Sequence, residues 1–330
     1  MNDAIQASVQ LGDIEAAHEV LAPHIVHTPL LESAWLNQFC GGRLLVKAEC
    51  LQKTGSFKIR GALNKLASLD EDQRRKGVIA FSSGNHGQGV AAAARIYGSH
   101  ATVLMPADSP RVKVDSTRFQ GAEVILYDRF HDDREALARQ RISESGATLV
   151  HPFDDEKVIA GQGTIGLEIA RQVSLADVDA LIVPAGGGGL VAGIATAVLA
   201  KKPSLPVYAA EPAELDDTAR SLRAGERLAN AEGSHSICDA LRSPIPGVKT
   251  FAINRRLLAG GLVAPDEAVR KAMALAFYAL KVVIEPGGAV ALAAALQNAD
   301  LLRGRTTVVV ASGGNVDAAD YAKILGTRAY

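Results

Sequence analysis

The chain has 330 residues, 48% of them apolar, which is enough for one large α/β unit or for two domains around separate cores. Lys plus Arg (35) balances Asp plus Glu (36), excluding the basic excess of a nucleic-acid or anionic-membrane binder. Cys40, Cys50 and Cys238 form no CxxC pair and leave an odd count, and the eight histidines show no HExxH spacing, so neither a disulfide framework nor a zinc-protease site is expected.

Met1-Asn2-Asp3-Ala4 has no basic segment ahead of an apolar stretch, so no secretory leader is read there and a cytoplasmic protein is expected. Short β-branched runs follow at 43–48, 78–82, 101–105, 123–127, 148–151, 180–184, 206–210 and 306–311. Helical stretches fill the gaps at 56–69, 87–97, 110–119, 132–143, 160–172, 190–200, 265–280 and 288–297. This alternation predicts parallel sheets with crossover helices, and the continuous apolar strands predict helices on both faces. After four βα units the pattern restarts near Thr148. The expected fold is α/β: two open, doubly wound parallel-sheet domains with a cleft between them. Residues 53–147 would form a small substrate-binding domain, and 1–52 with 148–330 a large cofactor-binding one. In such sheets ligands sit beyond the carboxyl ends of the strands.

Residues 180–200 contain no charge and are long enough to span a bilayer. Pro184 and Gly186 to Gly189 interrupt them, however, and in a helix interior each Gly costs about 1 kcal/mol and Pro about 3 kcal/mol. A buried strand, a glycine turn and a buried helix fit the same residues without that cost, so no membrane association is expected.

Four segments carry chemistry. In Thr54-Gly55-Ser56-Phe57-Lys58-Ile59-Arg60-Gly61, Ser56 is a good N-cap that would place Lys58 in a helix's first turn. The positive helix end disfavours an ammonium there, which makes the amine a better nucleophile and proton shuttle. Ser82-Ser83-Gly84-Asn85-His86-Gly87 joins a strand to an Ala-rich helix, and backbone N–H groups at such a junction bind carboxylates or phosphates. Gly186, Gly187, Gly188 and Gly189 let the backbone wrap closely around a phosphate, whereas a turn alone needs one or two glycines. Ser312-Gly313-Gly314-Asn315 follows the last strand, where Ser312 can offer a hydroxyl to a heterocycle nitrogen. Each of the first, second and fourth segments read alone is equally well a surface lysine or a tight connection. The glycine run has a rival reading as well. Gly187, Gly189 and Ala192 satisfy G-x-G-x-x-A with Glu211 at the next strand end, as in an NAD-dependent dehydrogenase. That reading leaves the other segments without a role.

Together, SFKIRGA, SSGNHGQGVA, IAGQGTIGLEI, VPAGGGGLVAGI, AAEP and VVVASGGNVD resemble the fold-type II pyridoxal-phosphate enzymes, the tryptophan synthase β family. Their wording is similar to the serine/threonine dehydratase and serine racemase branch. The resemblance spans essentially the whole chain. It implies no C-terminal regulatory domain, since the sequence ends soon after the last motif.

The resemblance implies a pyridoxal 5'-phosphate cofactor joined to Lys58, with Phe57 against its ring, Asn85 on the ring hydroxyl, the four glycines on the phosphate and Ser312 on the ring nitrogen. It places the substrate carboxylate on Ser82, Ser83, Gly84, Asn85 and His86, with Arg134 as a further contact and Ser83 facing Lys58 across the substrate. It also implies a divalent-cation loop for Mg²⁺ (or Ca²⁺ or Mn²⁺), with Glu211, the Leu215 carbonyl and Asp217 as hard oxygen ligands. The expected reaction is dehydration of a serine- or threonine-like 3-hydroxy amino acid to a 2-oxo acid and ammonia. The alternative is amino acid racemisation by Lys58 and Ser83. The partner is a small amino acid, and a homodimer or higher homo-oligomer is expected. Two departures from the family pattern fall near the cofactor edge. Ile237-Cys238-Asp239-Ala240 stands for the usual Ile-Ala-Asp-Gly, and Glu285-Pro286-Gly287-Gly288-Ala289 has an extra glycine in place of a larger residue.

Overall fold

The computed structural model describes residues 9–129 and 131–326, so the leader reading at Met1–Ala4 lies outside the described residues. The strands are β1 (Leu30–Glu32), β2 (Arg43–Ala48), β3 (Val78–Phe81), β4 (Ala101–Pro106), β5 (Glu123–Tyr127), β6 (Thr148–Leu149), β7 (Ala180–Pro184), β8 (Val207–Pro212), β9 (Gly260–Ala264) and β10 (Thr306–Ala311). They form a six-stranded sheet, β1-β2-β10-β7-β8-β9, and a four-stranded sheet, β5-β4-β3-β6. Apart from the antiparallel β1–β2 pair, every pairing is parallel. The α/β fold with two parallel sheets is therefore as expected.

β10 shows why its sequence becomes a central strand. Val309 packs with Val46 into one apolar cluster, while Val308 and Val310 pack with Leu45 into another. Alternate side chains thus enter cores on opposite faces, each fully buried valine contributing about 1.5–3 kcal/mol relative to exposure. Residues 180–200 divide into β7, the glycine turn and the helix Gly189–Leu199. Among the described residues no helix is long and apolar enough to cross a membrane.

Several elements depart from the expected alternation. β9 begins Gly260-Gly261, which reads as a breaker. A Cβ on Gly261 would come within 2.6 Å of Ala219, so the glycine lets the helix Asp217–Ala224 lie against this edge strand. The helix Val248–Leu257 has no N-cap of its own; Asp154, far away in sequence, accepts the N–H groups of Val248, Lys249 and Thr250. β6 is two residues rather than four, because the His151 ring accepts the N–H groups of Phe153 and Asp154 and turns the chain. It pairs with β3, so the smaller sheet includes Thr148 and Leu149, just past residue 147.

A buried ion network joins these layers. Arg60, two residues after Lys58, holds both oxygens of Glu49 at 2.8 Å and reaches Glu168 at 2.6 Å; Lys47 reaches Glu168 at 2.6 Å. All four side chains are fully buried, and two cations balance two carboxylates. The start of the helix Lys58–Ala67 is thereby fixed to the end of β2 and to the helix Glu156–Gln172.

Candidate active site

Ser82 follows β3, Pro106 and Tyr127 end β4 and β5, Pro152 follows β6, Gly186 follows β7 and Ser312 follows β10. All six line one cavity of about 520 Å³, so the carboxyl ends of both sheets open into the same space. Phe57, Lys58, Ser83, Asn85, His86, Arg134 and the four glycines also line it. Glu211, Leu215 and Asp217 do not.

Lys58 is the first residue of its helix, but Ser56 is not the cap: Phe57 holds that position, with no side-chain cap. Ser56 instead pairs as an isolated bridge with Gly313, so the first and fourth motifs are tied through the backbone. The Lys58 amine donates to the Pro152 carbonyl at 2.7 Å and lies 5.2 Å from the Phe57 ring. Burial lowers its pKa to about 8. The direction is the one expected from the sequence, and desolvation by the surrounding fold drives it.

The glycine loop is held from behind. The Gly187 carbonyl accepts the Thr250 hydroxyl at 2.6 Å, and the Gly188 carbonyl accepts the Asn254 amide at 3.2 Å. Helix geometry leaves the N–H groups of the first turn of Gly189–Leu199 without intrahelical acceptors. Gly188 has φ of 90°, and a Cβ on Gly187 would lie 2.2 Å from the Phe153 ring. No side chain fits there, whereas an anion held by N–H groups needs none.

Gly84 has φ of 154°, and a Cβ there would strike Lys113 at 2.2 Å. The Ser82 hydroxyl accepts the Gly84 N–H at 2.9 Å, and the Ser83 hydroxyl donates to the Asp239 carbonyl at 3.3 Å. The helix Asn85–Ile96 starts here, leaving the N–H groups of Asn85, His86 and Gly87 free for an anion. The His86 imidazole is a different matter. Its Nε2 bonds the Val150 carbonyl at 2.8 Å, and burial, followed by the Lys58 charge, lowers its pKa to about 3. A neutral ring with its one N–H committed to Val150 offers a carboxylate no donor, so the backbone N–H is what His86 can contribute. Arg134 opens the helix Arg134–Ser145 with its guanidinium 5.0 Å from the Phe81 ring centroid.

Sequence reasoning passed over the support of Asn85. Its amide donates to Glu285, and its carbonyl accepts from Asn315 at 2.9 Å. Lys113 pairs with both Glu285 and Asp239 at 2.7 Å. Asn315 and Glu285 stood in the motifs already quoted, but nothing local marks Lys113.

Glu211 lies elsewhere, at the end of β8. Its carboxylate accepts the N–H groups of Thr218 and Ala219 at 3.0 and 2.8 Å. Burial, and then the nearby Asp217, raise it to about 8; burial raises Asp217 to about 7. Asp217 Oδ1 accepts from Asn230, while its buried Oδ2 has no hydrogen-bond partner among the described residues. Among the described residues no group of three or more His, Cys, Asp or Glu side chains is gathered for a metal.

The fold and this cavity define a two-sheet α/β enzyme that binds a phosphorylated cofactor beside a buried amine. The chain belongs to the pyridoxal-phosphate dependent enzyme family, whose model matches residues 21–313. It is 41% identical to L-threonine ammonia-lyase of Thermotoga maritima over 94% of this chain and 76% of that one. It is likewise 41% identical to serine racemase of Mus musculus, over 94% and 93% of the two chains. The crystal structure of T.th. threonine deaminase superposes with a TM-score of 0.88 at 46% identity, covering 93% of this chain and 99% of that one. The family assignment overturns the dehydrogenase reading. Physically, Glu211, the supposed ribose acid, is buried against the N–H groups of Thr218 and Ala219.

Proposed function

We propose that this chain is a pyridoxal-phosphate-dependent ammonia-lyase that removes water from a 3-hydroxy amino acid to give a 2-oxo acid and ammonia. The observation that carries this is a buried amine, Lys58, in the same cavity as an anion-binding glycine loop. When bound, the cofactor supplies an electron sink for the charge left at the α-carbon. The residues present fit it. Lys58 would hold it covalently, the N–H groups at Gly186 to Gly189 its phosphate, and Phe57 would pack on its ring. Asn85, fixed by Glu285 and Asn315, still has a donor for the ring hydroxyl, and the Ser312 hydroxyl would meet the ring nitrogen without a charge.

In turnover, the Lys58 amine, held by the Pro152 carbonyl and brought by burial to a pKa of about 8, takes the α-proton in its neutral form. The N–H groups of Asn85, His86 and Gly87 hold the substrate carboxylate, and the loop Ser82 to Gly84 lies against it. Arg134 faces the same space. Release of 2-oxo acid from L-serine, L-threonine or 3-hydroxyaspartate by the purified holoenzyme tests this; a holoenzyme that turns over none of them refutes it.

A second reading, racemisation, has its own support. The Ser83 hydroxyl lines the cavity with Lys58 and among the described residues bonds only the Asp239 carbonyl, so it could return a proton to the α-carbon. Measurement of the inverted enantiomer in the same assay separates the two.

Glu211, the Leu215 carbonyl and Asp217 are proposed to hold a divalent cation such as Mg²⁺. Two buried carboxylates whose proton affinity burial raises, with Asp217 adding to the rise at Glu211 and one Asp217 oxygen without a hydrogen-bond partner among the described residues, suit a hard ion. A homo-oligomer in the cytoplasm remains part of this proposal.

A further inference from the structure

We infer that His151 is a positioning residue for the reaction proposed above: its ring, as the neutral tautomer with the proton on Nε2, aims the Pro152 carbonyl that orients the Lys58 amine. This rests on reading Lys58 as the reacting amine. His151 stands just past β6, and its Nδ1 accepts the N–H of Phe153 at 3.3 Å and that of Asp154 at 2.8 Å. Two donors directed at one ring nitrogen leave it no proton of its own, so the ring's proton sits on Nε2. Burial holds the His151 pKa below the usual histidine value, with the Lys58 and Arg134 charges adding to the fall and Asp154 and Asp155 opposing it. Edge contacts fix the plane of the ring, which meets Phe81 at 5.7 Å and Phe153 at 4.7 Å between centroids.

The aim follows from peptide geometry. In a planar trans peptide the N–H and the preceding C=O point to opposite sides. With the Phe153 N–H held on His151, the Pro152 carbonyl faces away from the ring, and there the Lys58 amine donates to it at 2.7 Å. Pro152 has a fixed φ and no N–H to bond elsewhere, which leaves this turn little other freedom. An amine anchored on one carbonyl keeps its reacting direction fixed, as proton transfer at a chosen carbon requires.

The next peptide obeys the same rule. Its Asp154 N–H is on His151, so the Phe153 carbonyl turns toward the glycine loop, where a Cβ on Gly189 would lie 2.9 Å from that oxygen. Asp154 then accepts the first N–H groups of the helix Val248–Leu257. That helix supplies Thr250 and Asn254 to the Gly187 and Gly188 carbonyls. One acceptor atom, His151 Nδ1, thus sets the direction of the amine and braces the loop opposite it. A proton on Nδ1 would set N–H against N–H and release both.

Two substitutions separate the acceptor from the ring. His151→Asn puts a carbonyl oxygen where the imidazole has Nδ1, and asparagine accepts from the backbone just ahead of it in the chain. His151→Phe keeps the ring and has no acceptor. In His151→Phe, kcat and the rate at which cofactor-depleted protein recombines with pyridoxal phosphate should each fall about ten-fold or more, with KM changed far less. His151→Asn should recover most of both rates while melting at a lower temperature, because it forfeits the contacts with Phe81 and Phe153. A slow Asn variant beside a fast Phe variant, or equal losses in both, assigns His151 to packing and overturns the inference. Should His151→Phe fail to fold, nuclear magnetic resonance of the natural chain with isotope-labelled histidine nitrogens decides. The His151 ring should be neutral and protonated on Nε2 at neutral pH; a proton on Nδ1 overturns the inference. Recombination and the ring spectrum need no turnover, so both still judge His151 if the holoenzyme is inert toward every 3-hydroxy amino acid, a result that would sink the lyase reading alone.

Discussion

A side chain on Gly287 would place its first carbon 3.1 Å from the Cβ of Ala240 and 3.3 Å from Leu241 Cγ. Ala240 and Gly287 belong to the two segments whose wording departs from the family pattern, and the two segments pack together here. Ala240 lines the cavity, so the small residue at Gly287 leaves room behind this part of its wall.

Gly287→Ala is accordingly expected to destabilise by about 1–3 kcal/mol through overpacking. In an Ala240→Gly background the loss should shrink, with a coupling of about 1 kcal/mol in a double-mutant cycle read from urea denaturation. Equal losses in both backgrounds would assign the clash to Leu241.

Lys58 should capture the cofactor at a pH unusual for lysine. Burial disfavours its ammonium form, so the neutral amine appears as pH rises through about 8 rather than through 10.5. In cofactor-depleted protein, the rate of recombination with pyridoxal phosphate should rise with pH about a midpoint near 8. A midpoint close to the ordinary lysine value contradicts the burial argument. Lys58→Ala should abolish the borohydride-stabilised adduct, and peptide mass analysis of the natural holoenzyme should find that adduct on Lys58.

Arg60→Met would leave Glu49 and Glu168 buried with only Lys47 for compensation. The expected loss is about 3–5 kcal/mol, read from the denaturation midpoint at unchanged slope. A loss under about 1 kcal/mol would show that water reaches the network.

If Glu211 and Asp217 hold a cation, millimolar Mg²⁺ or Ca²⁺ should raise the thermal midpoint of the holoenzyme, and chelator should reverse the gain. At a concentration of about 100 times the dissociation constant the stabilisation is about 2.7 kcal/mol. Asp217→Asn should remove the response. An equal response in that variant would place the ion elsewhere.

Much of this was legible in the sequence because it is written locally. The valines of β10, the uncharged stretch through β7 and the glycine run determine strand, turn and helix by burial and backbone freedom over a few residues. The lysine, the Ser-Gly-Asn-His loop and the glycines could be picked out because each is a short contiguous segment, and they line one cavity. The partners that make those devices work were not legible. Asp154 caps a helix whose first turn lies 95 positions on at Lys249, Lys113 braces Glu285 and Asp239, and Arg60 meets Glu168 across 108 positions. Burial depresses Lys58 and silences the His86 ring. Arg134 and Arg242 line one cavity only because the helix Arg134–Ser145 and the turn Asp239–Leu241 both border it. Desolvation and charge pairing depend on what surrounds a group in space, and for these residues chain folding alone supplies the surroundings.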